Sequence, residues 1–324
     1  DLFWQFNFRF NEGGSGSLPR ISVKKYRLFV IGIFSLFLIC EPAFAVVKVV
    51  AKRPDFTIKY ENSGDQVSGG LLIGNSLLLS STIENPSSGL ASAQLSSYGL
   101  DGTKEWDLPI KTESVAGPIT RDTTGNIYLL GVTPTSSQPT QQSASQPVTI
   151  NPDNVQIDPV ITPTNTLNTL VIWKISNTGN LLQTYPLPMT EGVIPDSISY
   201  SNSGILVGAF LSKKYFQVSM DENGGFSSPI YLKAPRNIDL AQDFKYGKEK
   251  LKFLPTAKSL IGIPTWKPKK PTPVLIQYSK LGSKRAVNSF EGTPLFVFYK
   301  SSIGVIVGSE SPSGFGISIV KPLN

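Results

Sequence analysis

Acidic side chains are the first candidates for chemistry in this chain. Glu105 and Asp107 flank Trp106, and on a strand two residues at that spacing point to one face. Two carboxylates on one face are the minimum equipment of a glycosidase-type acid and base. They are equally the equipment of a solvated outer strand, and that is the reading adopted. Asp221-Glu222-Asn223-Gly224 resembles a fragment of a calcium loop. It lacks the fifth-position ligand and the closing Glu that such a loop needs. Asp122-Thr123-Thr124-Gly125-Asn126 has the composition of an Asx-type turn. The chain has no His and one Cys, which removes Ser-His-Asp and Cys-His nucleophiles and His-ligated zinc, iron or copper. A Ser nucleophile would need Lys or Asp as its base, and no motif for that is present. The sequence therefore assigns no catalytic residue, no metal ligand and no cofactor.

Basic side chains carry the stronger signal. Residues 46–208 hold 8 basic and 13 acidic residues, a net of −5, while residues 209–324 hold 17 and 7, a net of +10. Nine basic residues against three acidic ones fall within Arg236 to Lys270. Lys213, Lys214, Lys245, Tyr246, Lys248, Trp266, Lys267, Lys269 and Lys270 form the candidate binding set, lysines interleaved with rings. Such a surface suits an anionic polymer.

Short β-rich runs bounded by Gly, Asn, Asp, Ser and Pro must position these residues. One unit recurs: Gly70-Leu71-Leu72-Ile73-Gly74, Gly125 to Gly131, Gly204 to Gly208, Ser259-Leu260-Ile261-Gly262 and Gly304 to Gly308. A second hairpin follows each of the first four. These hairpins turn at Asp101-Gly102, at Asn177 to Asn180, at Asn223-Gly224 and at Leu281-Gly282. Two hairpins per repeat make four strands, and four-stranded repeats of this size are propeller blades. The expected fold is all-β: a single β-propeller of five four-stranded blades. A β-sandwich is the alternative. The fifth repeat stops after a third strand at Gly316 to Val320. Residues 56–60 are expected to supply its outer strand and close the ring. On this assignment Lys213 and Lys214 fall in a strand 2–3 connection. Lys245, Lys248, Lys250 and Lys252 fall in a strand 4–1 connection, and Lys267, Lys269 and Lys270 in the next strand 2–3 connection. All would share one face.

Leu95-Ser96-Ser97-Tyr98-Gly99-Leu100-Asp101-Gly102-Thr103-Lys104-Glu105-Trp106, followed by Ile119 to Gly131, resembles the repeats of secreted bacterial propellers, of the bacterial β-propeller-repeat and quinoprotein-like types. The match covers one blade well and the others loosely, and later copies lack the tryptophan after the turn. The resemblance implies a fold and no particular activity.

Residues 28–40 are an apolar run preceded by Lys24, Lys25 and Arg27 and followed by Glu41-Pro42-Ala43-Phe44-Ala45. That is the pattern of a secretory signal cleaved after Ala45. Residues 23–45 are read as the signal and residues 1–22 as an upstream extension. The alternative is a membrane anchor over residues 28–50. Cys40, the one thiol, leaves with the signal. Residues 134–166, rich in Pro, Ser, Thr and Gln, are read as a disordered insertion in the 46–324 domain. The expected protein is secreted and non-enzymatic, binding an anionic cell-envelope polymer or an envelope protein. Export disfavours nucleic acid as a partner, and membrane contact would come only through an uncleaved signal. The competing expectation is a propeller-class enzyme, a polysaccharide lyase, glycosidase or quinoprotein-like protein with carboxylates at the central channel.

Overall fold

The computed structural model describes residues 47–85, 87–134, 167–201, 204–234, 240–312 and 314–323. The signal and the upstream extension lie outside them, as does the 134–166 insertion beyond Pro134. Among the described residues there is no helix.

The chain enters with β1 (Val49–Lys52) and β2 (Phe56–Ile58), each borrowed by a sheet formed later in the sequence. Sheet 1 is β3 (Gln66–Ile73), β4 (Ser76–Glu84), β5 (Ala91–Gly99) and β6 (Lys104–Thr112). Sheet 2 is β7 (Val115–Arg121), β8 (Ile127–Pro134), β9 (Leu167–Ile175) and β10 (Leu181–Pro188). Sheet 3 is β11 (Val193–Ser201), β12 (Gly204–Leu211), β13 (Lys214–Met220) and β14 (Ile230–Leu232). Sheet 4 is β15 (Gln242–Tyr246), β16 (Glu249–Ala257), β17 (Thr272–Tyr278) and β18 (Lys284–Phe290), with β1 added in parallel outside β18. Sheet 5 is β19 (Thr293–Lys300), β20 (Gly304–Ser311) and β21 (Gly314–Val320), with β2 as its outer strand. This is the expected all-β propeller architecture, built as antiparallel meanders.

The N-terminal strand closes sheet 5 as expected. Phe56, Thr57 and Ile58 pair with Ile317, Gly316 and Phe315. Asp55 adds two bonds to the same edge, its N–H to Ile317 O at 2.7 Å and its Oδ2 accepting from Ile319 N at 2.6 Å. The borrowed strand β1 was not foreseen.

Two of the repeat units lie elsewhere than expected. Gly70 to Gly74 belongs to the end of β3 and its turn, so it is a first strand where the copies ending at Gly131, Gly208 and Gly308 are second strands. Ser259 to Gly262 is not a strand. It is a turn after β16, closed by Ile263 N to Leu260 O at 3.0 Å, with Leu260 buried and Ile261 92% exposed. The true second strand of sheet 4 is β16. Its alternation of Lys250 and Lys252 with buried Leu251 and Phe253 is a strand pattern that its lysine content disguised.

Sheets pack face to face through shared apolar clusters. Leu129, Val171 and Trp173 of sheet 2 meet Leu95 and Trp106 of sheet 1. Leu130 and Ile172 meet Val207 and Phe216 of sheet 3. Leu77 and Leu79 meet Phe315 and Ile317 of sheet 5, and Val305 and Val307 of that sheet meet Leu251 and Phe253 of sheet 4. A second contact repeats at three of the seams. An aromatic ring from the outer strand of one sheet lies on the glycine of the next sheet's 3–4 turn: Phe56 on Gly102, Trp106 on Gly179 and Tyr185 on Gly224.

The seam between sheets 3 and 4 departs from this pattern. Among the described residues no core cluster joins the two sheets, and the exposed turn glycine Gly282 has nothing packed on it. Tyr231, the ring of sheet 3's outer strand, is 55% exposed. Sheet 4 instead covers its own face there, with Val47, Val49, Leu260, Ile263 and Trp266 over Val274, Ile276 and Val287.

Candidate functional site

Sheet 4 concentrates the positive charge. Between Gln242 and Phe290 it carries eleven Lys or Arg residues and two acids, Asp243 and Glu249. Both acids are engaged within the sheet, Asp243 with Lys250 at 2.6 Å and Glu249 with Arg285. The amide of Gln277 and the Arg285 guanidinium hold the Glu249 carboxyl below the ordinary carboxylate range. Lys213, Lys214, Lys245, Lys248, Lys267, Lys269 and Lys270 are all exposed. None of the seven forms an ion pair with a described residue.

The corrected strand assignment divides the nine candidate residues between two ends of their sheets. Lys213 and Lys214 occupy the 2–3 turn of sheet 3, and Ser212 and Lys213 both take positive φ there (44° and 70°). Trp266, Lys267, Lys269 and Lys270 lie in the 2–3 connection of sheet 4, between β16 and β17. Lys245, Tyr246 and Lys248 do not join them, contrary to the one-face expectation. They form the 1–2 hairpin of sheet 4, between β15 and β16, at its opposite end. At that end the 3–4 turn adds Lys280, which the sequence reading passed over, while Lys284 beside it donates to Ile261 O of the 2–3 connection, which folds back along the sheet. β16 has nine residues, so the two ends are roughly 30 Å apart at about 3.3 Å per residue.

Local chemistry explains the loop after β16. Its apolar residues Leu260 and Ile263 are buried and Trp266 is half-buried, so they pin the loop to the sheet face. The following run is Lys267-Pro268-Lys269-Lys270-Pro271. Each proline fixes its own φ and pushes the preceding lysine toward extended backbone. Lys267 and Lys270 are therefore presented on a stiff strap, which lowers the ordering cost of a contact.

The other titratable groups have structural roles. Asp122 Oδ1 accepts from Thr124 N and Asn126 N at 2.9 and 2.8 Å, the Asx turn expected from the sequence. Burial raises the Asp122 pKa, but hydrogen bonds from Asn126, Thr124 and Tyr128 outweigh it and leave the carboxyl below its ordinary value. Asp221 caps its own turn, accepting from Asn223 N and Gly225 N. Glu105 accepts from Ser76 and Ser97 at 3.0 and 2.6 Å. Asp107 takes Gln94 and Lys104. At the seam of sheets 5 and 1, Tyr60 donates to Glu310 at 2.7 Å and accepts from Val67 N. Burial, then the Glu310 bond, pushes the Tyr60 phenol well above its usual pKa, and burial raises Glu310. One carboxylate escaped the sequence reading. Asp196 lies at a bulge in β11, the first strand of sheet 3, with Oδ2 buried and, among the described residues, without a hydrogen-bond partner. No motif marks it, because the bulge that turns it is a tertiary feature.

No family model matches the chain, and no curated protein matches its sequence. Among solved structures, the β-propeller domain of the Trilobed protease from Pyrococcus furiosus is 9% identical, covers 83% of this chain and 70% of its own, and has a TM-score of 0.31. The catalytic domain of the Coprinopsis cinerea GH62 α-L-arabinofuranosidase is 8% identical, with 85% and 96% covered and a TM-score of 0.39. A protein of unknown function from Bacteroides caccae is 11% identical, with 70% and 68% covered and a TM-score of 0.31. The fold assignment rests on the sheets themselves.

Proposed function

We propose that this chain is an exported, non-enzymatic binding module that holds an anionic cell-envelope polymer against sheet 4 and its loops. The observation that carries this reading is the ratio of eleven basic to two acidic residues in one sheet, with both acids engaged internally. Lys267, Lys269 and Lys270 form the principal contact, with Lys213 and Lys214 at the corresponding end of sheet 3. Lys245, Tyr246 and Lys248, with Lys280, form a second contact that only a long ligand spans. The apolar run and small-residue site before Val46 support export. The likeness of residues 95–131 to secreted propeller repeats fits the same compartment. A glycosidase reading would start from Asp196, but its partner carboxyl must lie within about 10 Å. β11 and its neighbour β7 carry no second acid.

The test is binding to lipoteichoic acid and to anionic phospholipid vesicles at low and high salt. Single exposed ion contacts are worth about 0–1 kcal/mol and are screened over about 8 Å at physiological salt. Affinity must therefore come from several lysines and fall steeply with salt. Changing Lys267, Lys269 and Lys270 together to Ser is expected to lower affinity about tenfold or more. Lys245→Ser with Lys248→Ser is expected to weaken long polymer and leave short fragments unaffected. Binding that ignores salt, or equal binding by the triple variant, refutes the assignment.

A further inference from the structure

The five-residue 3–4 turns share one hydrogen-bond pattern. The first residue's N–H bonds the fifth residue's carbonyl, and the fourth residue's N–H bonds the first's. This aligns Gly99 of sheet 1 with Ser176, Asp221 and Ser279 of sheets 2, 3 and 4. Counting back three and five residues along the third strand gives the pair that faces the preceding sheet. In sheets 2, 3 and 4 these are Trp173 and Val171, Val218 and Phe216, and Ile276 and Val274, all buried apolar residues. In sheet 1 they are Ser96 and Gln94. A polar pair where three repeats place core breaks the pattern that packs this fold, and such breaks mark functional positions.

The surroundings of that pair are built. Outer strand β2 of sheet 5 has three residues and does not cover this part of sheet 1, leaving a cleft of about 310 Å³. That is the small end of the ~300–1,000 Å³ range of ligand sites. Gln94 Nε2 donates to Asp107 Oδ2 at 3.0 Å and to Ser96 Oγ at 3.2 Å, and Lys104 Nζ reaches the same Asp107 oxygen at 3.3 Å. Ser96 is 4% exposed. Among the described residues, Asp107 Oδ1 and Gln94 Oε1 receive no hydrogen bond, so two oriented acceptors remain beside a lysine donor. Tyr98 lines the same cleft, its ring stacked on Phe56 with centroids 6.4 Å apart.

We propose that this cleft binds one neutral pyranose unit of a glycan. Vicinal hydroxyls each donate and accept, matching a carboxylate–amide pair with a lysine beside it. The apolar C–H face of a sugar suits a tyrosine ring. Glu61, Asp65 and Asp107 against Lys59 and Lys104 leave the lining slightly negative, which disfavours phosphorylated or sulfated ligands. The site is thus distinct in chemistry and place from the lysines of sheet 4.

Saturation-transfer NMR on the full chain tests this, with methyl glucoside, methyl galactoside, N-acetylglucosamine and cellobiose as probes and glucose 6-phosphate as the anionic control. At least one neutral sugar is expected to bind saturably, with a dissociation constant on the order of 1 mM. Asp107→Ala is expected to weaken it about tenfold, as for loss of a charged hydrogen-bond partner. Gln94→Val restores the apolar pattern of the other repeats. It is expected to abolish binding while holding or raising Tm, so lost binding cannot be mistaken for lost folding. Lys267→Ser with Lys269→Ser and Lys270→Ser is expected to bind the sugar normally, which separates this site from the polyanion surface. No transfer to any of the four neutral sugars, transfer unchanged in both cleft variants, or tighter binding of the phosphate overturns the proposal.

Discussion

Gly179 and Gly282 allow a test of the open seam that holds backbone conformation constant. Both are fourth residues of equivalent 3–4 turns, with φ of +82° and +83°. They differ in what lies above them. A Cβ at Gly179 would sit 2.8 Å from Trp106 Cε3, and one at Gly282 meets nothing within 4 Å. Alanine at either position incurs the left-handed backbone cost, about 1–2 kcal/mol. Gly179→Ala alone adds overpacking against the Trp106 ring, typically about 1–3 kcal/mol. It should therefore be less stable than Gly282→Ala by about 1–3 kcal/mol. At about 2–4 °C per kcal/mol for a domain approaching this size, Tm should separate by about 2–12 °C. The assay is thermal unfolding by circular dichroism, with urea denaturation for the free energies. In a Trp106→Ala background the ring is gone, and the added cost of Gly179→Ala should fall to that of Gly282→Ala. If Gly282→Ala proves as costly as Gly179→Ala in the wild-type background, the Gly282 turn is covered in solution. The reasoning that leaves sheets 3 and 4 unclasped is then refuted.

Deleting residues 47–58 removes both borrowed strands and exposes the edge of β21. Tm is expected to fall by more than about 10 °C with a tendency to aggregate, and an unchanged melt would show the closure to be dispensable. Tyr185→Ala should cost about 3–5 kcal/mol, since the side chain is 8% exposed and its ring covers Gly224. Tyr231→Ala should cost about 1 kcal/mol, the loss being its tilted contact with Phe216. Equal urea midpoints for the two would contradict the exposure of Tyr231. Tyr60, Tyr128 and Tyr185 have phenol pKa values raised chiefly by burial. Raised folded values mean that their contribution is complete below the unfolded pKa of 10.0 and is lost as pH rises beyond it. Stability should fall above pH 10.0, and tyrosinate absorbance should show late-titrating groups, fewer in Tyr60→Phe. Asp122→Ala should cost about 1–2 kcal/mol at neutral pH. Its lowered pKa places the acid loss of that contribution below the ordinary carboxylate value of 3.8, so the difference between variant and wild type should vanish in strong acid.

The four 3–4 hairpins were legible because their signal is local. Asp101-Gly102, Asn223-Gly224 and Leu281-Gly282 specify tight turns from a few residues, and alternation of apolar side chains marks the flanking strands. The pairing of residues 56–58 with the last sheet was legible by counting, since the fifth repeat lacks a strand and only the N-terminus offers one. The excess of lysine in the second half was equally plain. The faces were not. Assigning Lys245 and Lys248 to an end of sheet 4 required knowing whether β16 or Ser259 to Gly262 is the second strand. The lysines in β16 made the true strand resemble a loop, while two apolar residues made a turn resemble a strand. Burial decides that question, and burial depends on sheet 5 packing against Leu251 and Phe253. The Gln94–Ser96–Asp107 cleft depends in the same way on how far sheet 5 reaches across sheet 1. Composition and turn residues determined the architecture because they act within one hairpin. Which lysines share a surface, which polar pair lines a cleft and which seam lacks its aromatic clasp were decided only when separate sheets met, because those properties belong to contacts between residues far apart in the chain.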